Sequence, residues 1–330
     1  MAEQPRLKIA IADYGHTRAL KSGAVAIGGI EPDFVQVAPI IGAFRRMVRD
    51  LEFDVCEMAP TTYMIARALG APFIALPVFL MRRFHHGGFV VRPDAGIKAP
   101  KDLEGKKVGV RAYSVTTGVW TRGIFINEYG LDSSKVTWVV DDEEHVTALK
   151  LPPNVVHAPE GKSLQSMMKA GEIQAGFTGP AGVGRAGPPV SGWDKAGAAA
   201  AAADTYPELI ADVGQVEADW FRRSGIYPIH GLIVVKDEHI NRHPWLARSL
   251  MDAFVAAKKP HLEELRRSRR EPGRQALPRF PVVDERSLAL RHGGQPSQHR
   301  GAGHLQPAAG ADPVAAAARR RLRRHRSLKS

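Results

Sequence analysis

Residues 100–110 read Pro-Lys-Asp-Leu-Glu-Gly-Lys-Lys-Val-Gly-Val, and this stretch decides how the chain is built. It gives a short helical turn, a Gly-Lys-Lys turn and an apolar run suited to a buried strand, so it starts a second α/β unit. Upstream, apolar runs at 7–12 (LKIAIA), 31–37, 53–58, 74–79 and 89–92 read as strands. The first is an unbroken run of the kind that parallel strands need when both faces are covered. Between the strands, 41–51 and 61–69 carry apolar residues at helical spacing. Downstream, a helix over 114–129 stops at Gly130, a strand follows at 136–140, a helix over 163–169 ends at Gly171, and a strand occupies 173–177. Alternating strands and helices predict doubly wound, parallel α/β sheets.

The run 229–236 (IHGLIVVK) reads as a strand that returns to the first unit, followed by a helix over 244–258. The expected organisation is therefore a first lobe beginning over 1–92, a second lobe inserted over 93–228, and a crossover strand with a return helix over 229–265. Two crossovers make a hinge, the usual architecture of a closing cleft. Residues 179–203, rich in Gly, Ala and Pro, read as a loop with an alanine run.

The formal charge of +12 points to nucleic acid only until it is located. From Arg266 onward there are 16 Lys and Arg against 4 Asp and Glu, while the first 265 residues hold 30 of each sign. The expected folded part has no net pull toward phosphate backbones, and no nucleic-acid partner is expected for it. Beyond Arg266 apolar periodicity fades and arginine, glycine, proline and histidine accumulate. This tail over 266–330 reads first as translation of a GC-rich gene in a shifted frame, then as a disordered basic tail. A nucleic-acid-binding arm ranks last, because only Phe280 is available there for stacking on bases. No run of 18 apolar residues occurs and the N-terminus lacks the features of a secretion signal, so a cytoplasmic protein with no membrane partner is expected. A single cysteine, Cys56, excludes a disulfide framework.

Several blocks resemble the 4,5-dihydroxyphthalate decarboxylase family, which is built on the type II periplasmic-binding-protein fold. They include Asp13-Tyr14 with Thr17-Arg18-Ala19-Leu20, the run Glu52 to Met58 with Tyr63 to Arg67, and Pro77-Val78-Phe79 followed by Arg82, Phe84 and His86. Downstream lie Asp102 to Val110, Trp120 with Arg122-Gly123, Glu128-Tyr129-Gly130, and Gly225 to His230. The Asp-Leu-x-Gly-Lys segment occurs throughout the wider superfamily. The Arg82-x-Phe84-x-His86 and Trp120-x-Arg122-Gly123 blocks are far more specific. The chain departs from the family at His85, where a second basic residue is usual, and around His230, where the histidine register is shifted. A Tyr-Gly and an Asn-Arg motif of the family's C-terminal portion are not found, and His292-Gly293-Gly294 stands about where the Tyr-Gly is expected.

The resemblance implies a ligand cleft at loops where strands end and helices begin, since helix N-termini offer free N–H groups and partial positive charge. The loops at 13–18, 57–63, 82–86 and 111–122 contain Arg18, Arg82, Arg111 and Arg122. Arginine suits a dicarboxylate because its planar fork donates two parallel hydrogen bonds, although each of the four has surface ion pairing as its alternative role. Thr61, Thr62, Ser114, Thr116 and Thr117 are candidates for helix caps or ligand contacts. Tyr14, Tyr63, Phe84 and Trp120 are candidates to sandwich an aromatic ring, or for core packing.

Decarboxylation of a dihydroxylated benzene ring needs a base for the phenol, an acid at the ring carbon and a poorly solvated place for the departing carboxylate. His86 is the expected general acid with His230 as its partner, and Glu57 or Asp13 is expected to orient a histidine or take the phenolic proton. The same four residues are the candidates for a divalent metal, although no cofactor is required by any motif: neither H-x-H nor H-E-x-x-H occurs. The expected function is a carboxy-lyase that converts 4,5-dihydroxyphthalate or a close analogue to protocatechuate and CO2. The competing reading is a transporter's solute-binding protein for a small carboxylate, which needs donors but no acid–base pair.

Overall fold

The computed structural model describes residues 4–184 and 206–270. They form two lobes, each around a five-stranded sheet. The first sheet runs β2-β1-β3-β10-β4. Strand β1 (Arg6–Ala10) lies parallel to β2 (Glu31–Phe34) and β3 (Val55–Met58), and β10 (Ile229–Lys236) is antiparallel to β3 and to β4 (Phe73–Arg82). Apolar runs fill the sheet's interior because helices cover both faces. On β10, Ile233 and Val235 pack with α8 (Leu246–Arg270) through Leu246, Leu250 and Phe254. Leu232 and Val234 pack the opposite way, with Phe44 and Met47 of α2 (Ile41–Asp50) and Ile65 of α3 (Pro60–Ala68). Short α1 (Arg18–Lys21) shares the face of α8.

The second sheet runs β5-β9-β6-β7-β8. Strand β5 (Phe89–Val91) is antiparallel to β9 (Ala175–Phe177), and β6 (Lys107–Gly109), β7 (Thr137–Val140) and β8 (Val155–His157) complete a parallel set with β9. Its core holds Phe89, Phe125, Trp138 and Phe177 with Trp220 of α6 (Val213–Ser224). Helix α4 (Thr116–Tyr129) ends where Gly130 turns left-handed at φ 66°, a conformation that costs glycine little. Helix α5 (Leu164–Ala170) begins with Ser163 accepting the Ser166 N–H.

This is the two-lobed, type II periplasmic-binding-protein-like architecture. The chain crosses between lobes after Arg82 and returns at Ile229. Some details differ from expectation. Strand β5 falls in the second lobe rather than the first, because Phe89 and Val91 bury against that lobe's aromatic core. The crossover thus precedes residue 89, not 93. Both sheets are mixed rather than parallel throughout, since β10 and β5 run against their neighbours. Strand β8, helix α6 and helix α7 (Asp237–Arg242) were not predicted. Helix α8 continues to Arg270, so the first residues of the expected tail are helical. The rest of that tail, residues 271–330, and most of the 179–203 loop lie outside the described residues. Among the described residues, no helix is long and apolar enough to cross a membrane.

Candidate functional site

Three polar groups gather where the lobes meet. The first joins the N-terminal turns of α3 and α4. Pro60 opens α3, and neither helix has a side-chain cap for its first N–H groups. There the hydroxyls of Thr61 and Thr116 lie 2.7 Å apart, and Thr62 Oγ1 lies 3.2 Å from His145 Nδ1. The loop after β7 supplies most of the charge. Glu144 accepts the N–H groups of Tyr113 and Ser114 at 2.6 and 3.2 Å, and the Ser114 hydroxyl as well. Buried Asp142 pairs with Arg111 at 3.3 Å and with Arg45 of α2 at 3.4 Å. Arg49 meets Glu143 at 2.9 Å and donates to the Glu144 carbonyl. Of the groups expected to meet a ligand, Arg111 and Ser114 are therefore engaged here by the chain's own carboxylates. Burial, followed by the neighbouring Arg111, holds the His145 imidazole well below its usual range.

The second group forms the hinge floor. His85, 2% exposed, lies parallel to the Trp120 ring at 6.3 Å, and its ring centroid is 5.1 Å from that of His230. Trp120 Nε1 donates to the Ile229 carbonyl at 3.0 Å, tying α4 to the start of β10. His85 Nε2 and His230 Nδ1 are buried without a hydrogen-bond partner among the described residues. Burial, with the charge of His230, pushes His85 down to about 2; burial and the nearby Arg83 bring His230 to about 4. Both rings are neutral near pH 7, which leaves each one nitrogen able to accept a proton.

The third group lies on the face of the first sheet that α8 covers. The Tyr14 hydroxyl donates to Glu57 at 2.7 Å and the Ala12 N–H donates to the other carboxylate oxygen at 3.1 Å. Burial raises the Glu57 carboxyl against those two hydrogen bonds. Gly231 makes room for it, since a Cβ there would meet Glu57 Oε1 at 3.2 Å. The Tyr14 ring stacks on His16 at 5.1 Å, and Arg82 lies over the rings of Phe79 and Tyr227 at 5.0 and 6.0 Å.

The remaining expected site residues stand apart. Arg122 is a core residue of the second lobe: its guanidinium lies 3.8 Å over the Tyr113 ring and donates to the Tyr113 carbonyl at 2.8 Å. Arg18 points outward, 3.9 Å from exposed Glu264. Asp13 is exposed and held below the usual carboxylate range by its hydrogen bonds with Lys21 and Gln36. Tyr63 packs against Phe73. Phe84 joins Trp220, Phe221 and Tyr227 in an aromatic cluster. His86 lies edge-on to Trp220 with Nδ1 3.9 Å from Glu217, and burial lowers it to about 4. The histidine beside His230 is thus His85. Asp13, Glu57, His86 and His230 do not gather as one ligand set. Among the described residues the group with metal-ligand spacing is Asp54, Glu238 and His239, and there Lys236 already holds Asp54 at 2.9 Å. Sequence reasoning missed Asp142, Glu144, His145 and Glu217. The cluster Asp141-Asp142-Glu143-Glu144-His145 at the end of a buried strand was the available signal.

A family profile described as the periplasmic substrate-binding protein of a phosphonate ABC transporter matches residues 29–151. A 4,5-dihydroxyphthalate decarboxylase from Comamonas testosteroni is 34% identical over 79% of this chain and 77% of its own length. Another protein of that name, from Pseudomonas putida, is 37% identical over 53% of this chain and 73% of its own. Among solved structures, the alkanesulfonate-binding protein from Xanthomonas axonopodis pv. citri aligns over 87% of this chain and 84% of its own at 14% identity, with a TM-score of 0.42.

Proposed function

The chain belongs to the 4,5-dihydroxyphthalate decarboxylase family, and from that premise we propose that it removes one carboxylate from 4,5-dihydroxyphthalate or a close analogue at the hinge floor between its lobes. The observation that carries this reading is the His85–His230 pair against Trp120, a buried and a half-buried imidazole, each with a buried ring nitrogen that has no hydrogen-bond partner among the described residues.

The chemistry follows from the substrate. A hydroxyl lies para to the carboxylate that leaves. One imidazole takes its proton, and the electron pair moves through the ring to the carbon bearing that carboxylate. That carbon takes a proton, giving a dienone. The bond to the carboxylate then breaks, its electrons restore aromaticity, CO2 departs, and the oxygen recovers a proton. The net change is one carboxylate replaced by one hydrogen, which requires no redox partner. Neutral imidazoles suit the first step. The arriving dianion opposes the burial that depresses them, so their proton affinity rises as substrate binds. Trp120 offers an apolar face to the ring and, with closed lobes, excludes water from the leaving group. In this reading His86, which faces Glu217 and Trp220, supports the floor from within the second lobe.

The test is incubation of the purified chain with 4,5-dihydroxyphthalate while CO2 and protocatechuate are followed. Equimolar products from the wild type, and loss of both in His230→Ala, are expected. Tight binding without turnover would sink the proposal and favour a solute-binding role.

A further inference from the structure

The α8 face of the first lobe carries an excess of cationic groups that the proton-transfer chemistry does not use. Arg82 ends β4 on the strand paired with Ile229, next to His230. Its guanidinium is half-buried between the rings of Phe79 and Tyr227 and, among the described residues, has no carboxylate within ion-pairing distance. Lys258 of α8 is also half-buried and lies within electrostatic reach of both Arg82 and His16. His261, one turn further along α8, sits so tightly against the β1–α1 loop that a Cβ on Gly15 would meet its ring at 2.3 Å. Its ring centroid is 6.2 Å from that of His16.

The acids nearby are already engaged. Glu57 holds Tyr14 and the Ala12 N–H, and Glu264 lies 62% exposed between Arg18 and His261 at 3.9 Å from each. Neither is paired with Arg82 or Lys258. Two half-buried cations on the packed faces of β4 and α8, without a counter-anion among the described residues, cost stability, and a bound anion would offset that cost. The rings of Phe79 and Tyr227 lie against the Arg82 guanidinium, and the Tyr14 ring lies against His16, so aromatic faces adjoin both cationic groups. We propose that Arg82 and Lys258, flanked by His16 and His261, form a carboxylate subsite that holds the substrate's retained carboxylate while the other is lost at the histidine floor. The assignment of that carboxylate rests on the decarboxylase reading; the anion site itself does not.

Phthalate carries both carboxylates and lacks the hydroxyls needed for reaction, so it tests the subsite separately from catalysis. Calorimetric titration of phthalate into the full chain should show roughly tenfold weaker binding in Lys258→Met, the loss of one charge-assisted contact, and a similar loss in Arg82→Met. Lys259→Met, on the exposed neighbouring position, should bind as the wild type does. With 4,5-dihydroxyphthalate, Lys258→Met should raise KM by a similar factor and leave kcat within about twofold, since uniform binding is what it removes. Unchanged phthalate affinity in Lys258→Met overturns the subsite even if the wild type turns substrate over. Weakened phthalate binding in a chain that releases no CO2 supports the subsite and removes the decarboxylase reading.

Discussion

The helix-tip seam and the hinge floor are both buried and polar, yet they are built on opposite principles. In the seam the acids have partners: Asp142 meets Arg45 and Arg111, Glu144 takes the N–H groups of Tyr113 and Ser114, and Glu143 meets Arg49. On the floor, His85 Nε2 and His230 Nδ1 have none among the described residues. A buried polar atom left unpaired costs about 1–3 kcal/mol, so a fold retains two of them side by side only where something else pairs them. The seam therefore reads as the contact that holds the lobes together, whereas the floor is where the proposed function puts the chemistry. Carboxylate pairing separates the two more sharply than residue type does, since both hold histidines.

The largest expected effect tests this division directly. Replacing His230 by alanine, or His85 by asparagine, should lower kcat by about 10²–10⁴-fold while shifting the urea midpoint little, because no hydrogen bond within the chain is lost. A loss under tenfold in both would return the chemistry to another group, His86 first. The converse belongs to the seam. Asp142→Ala leaves Arg45 and Arg111 facing each other across a buried gap and should cost about 3–5 kcal/mol in urea denaturation. If Asp142→Ala instead left stability intact and abolished turnover, seam and floor would exchange roles.

Acid should act on both regions through their imidazoles. His85, His86, His230 and His16 are held at about 2, 4, 4 and 4, with His145 also depressed, all with burial as the leading cause. An unfolded chain takes up those protons near pH 6.5, so between pH 6.5 and about 4 the unfolded state binds more protons and stability falls as pH falls. The raised carboxyls of Glu57 and Glu217 act with the opposite sign, favouring the fold as they become protonated. Five imidazoles against two carboxyls leave the imidazole direction dominant. The melting temperature should therefore drop steadily from pH 7 to pH 4.5. Substrate should restore part of it by raising the floor histidines, with measurable proton uptake on binding. No proton uptake at pH 6 would argue that the dianion does not reach His85 and His230.

The sequence made the lobes and the hinge legible because strands buried on both faces leave unbroken apolar runs; the Leu232–Val235 stretch needs no partner to be read. It could not assign Phe89–Val91 to a sheet, since an apolar triplet does not say which neighbour it pairs with. Val155–His157 is short and half-exposed, and Val213–Ser224 follows a segment whose composition hides a helix start. Trp120 and His230, which the proposed function places at the floor, stand in blocks that the sequence already singled out. Arg122 was not: its position in a motif says nothing about a guanidinium that folds back over Tyr113. Nor can a sequence choose between adjacent His85 and His86, whose directions are set by Trp120 on one side and Trp220 on the other.

The smallest effect is the most discriminating about the seam. Thr61 and Thr116 are 4% and 2% exposed, and their hydroxyls meet at 2.7 Å from opposite lobes. Thr61→Val keeps the shape but strands the Thr116 hydroxyl, which should cost about 1 kcal/mol. Thr116→Val should cost about the same. If that contact is structural, the double variant should cost less than the sum, because removing both hydroxyls leaves nothing unpaired. Strict additivity would mean that the two hydroxyls do not depend on each other in solution and that the lobes spend much of their time apart there. The same cycle repeated with phthalate present decides between those states, since a ligand held between closed lobes should restore the coupling.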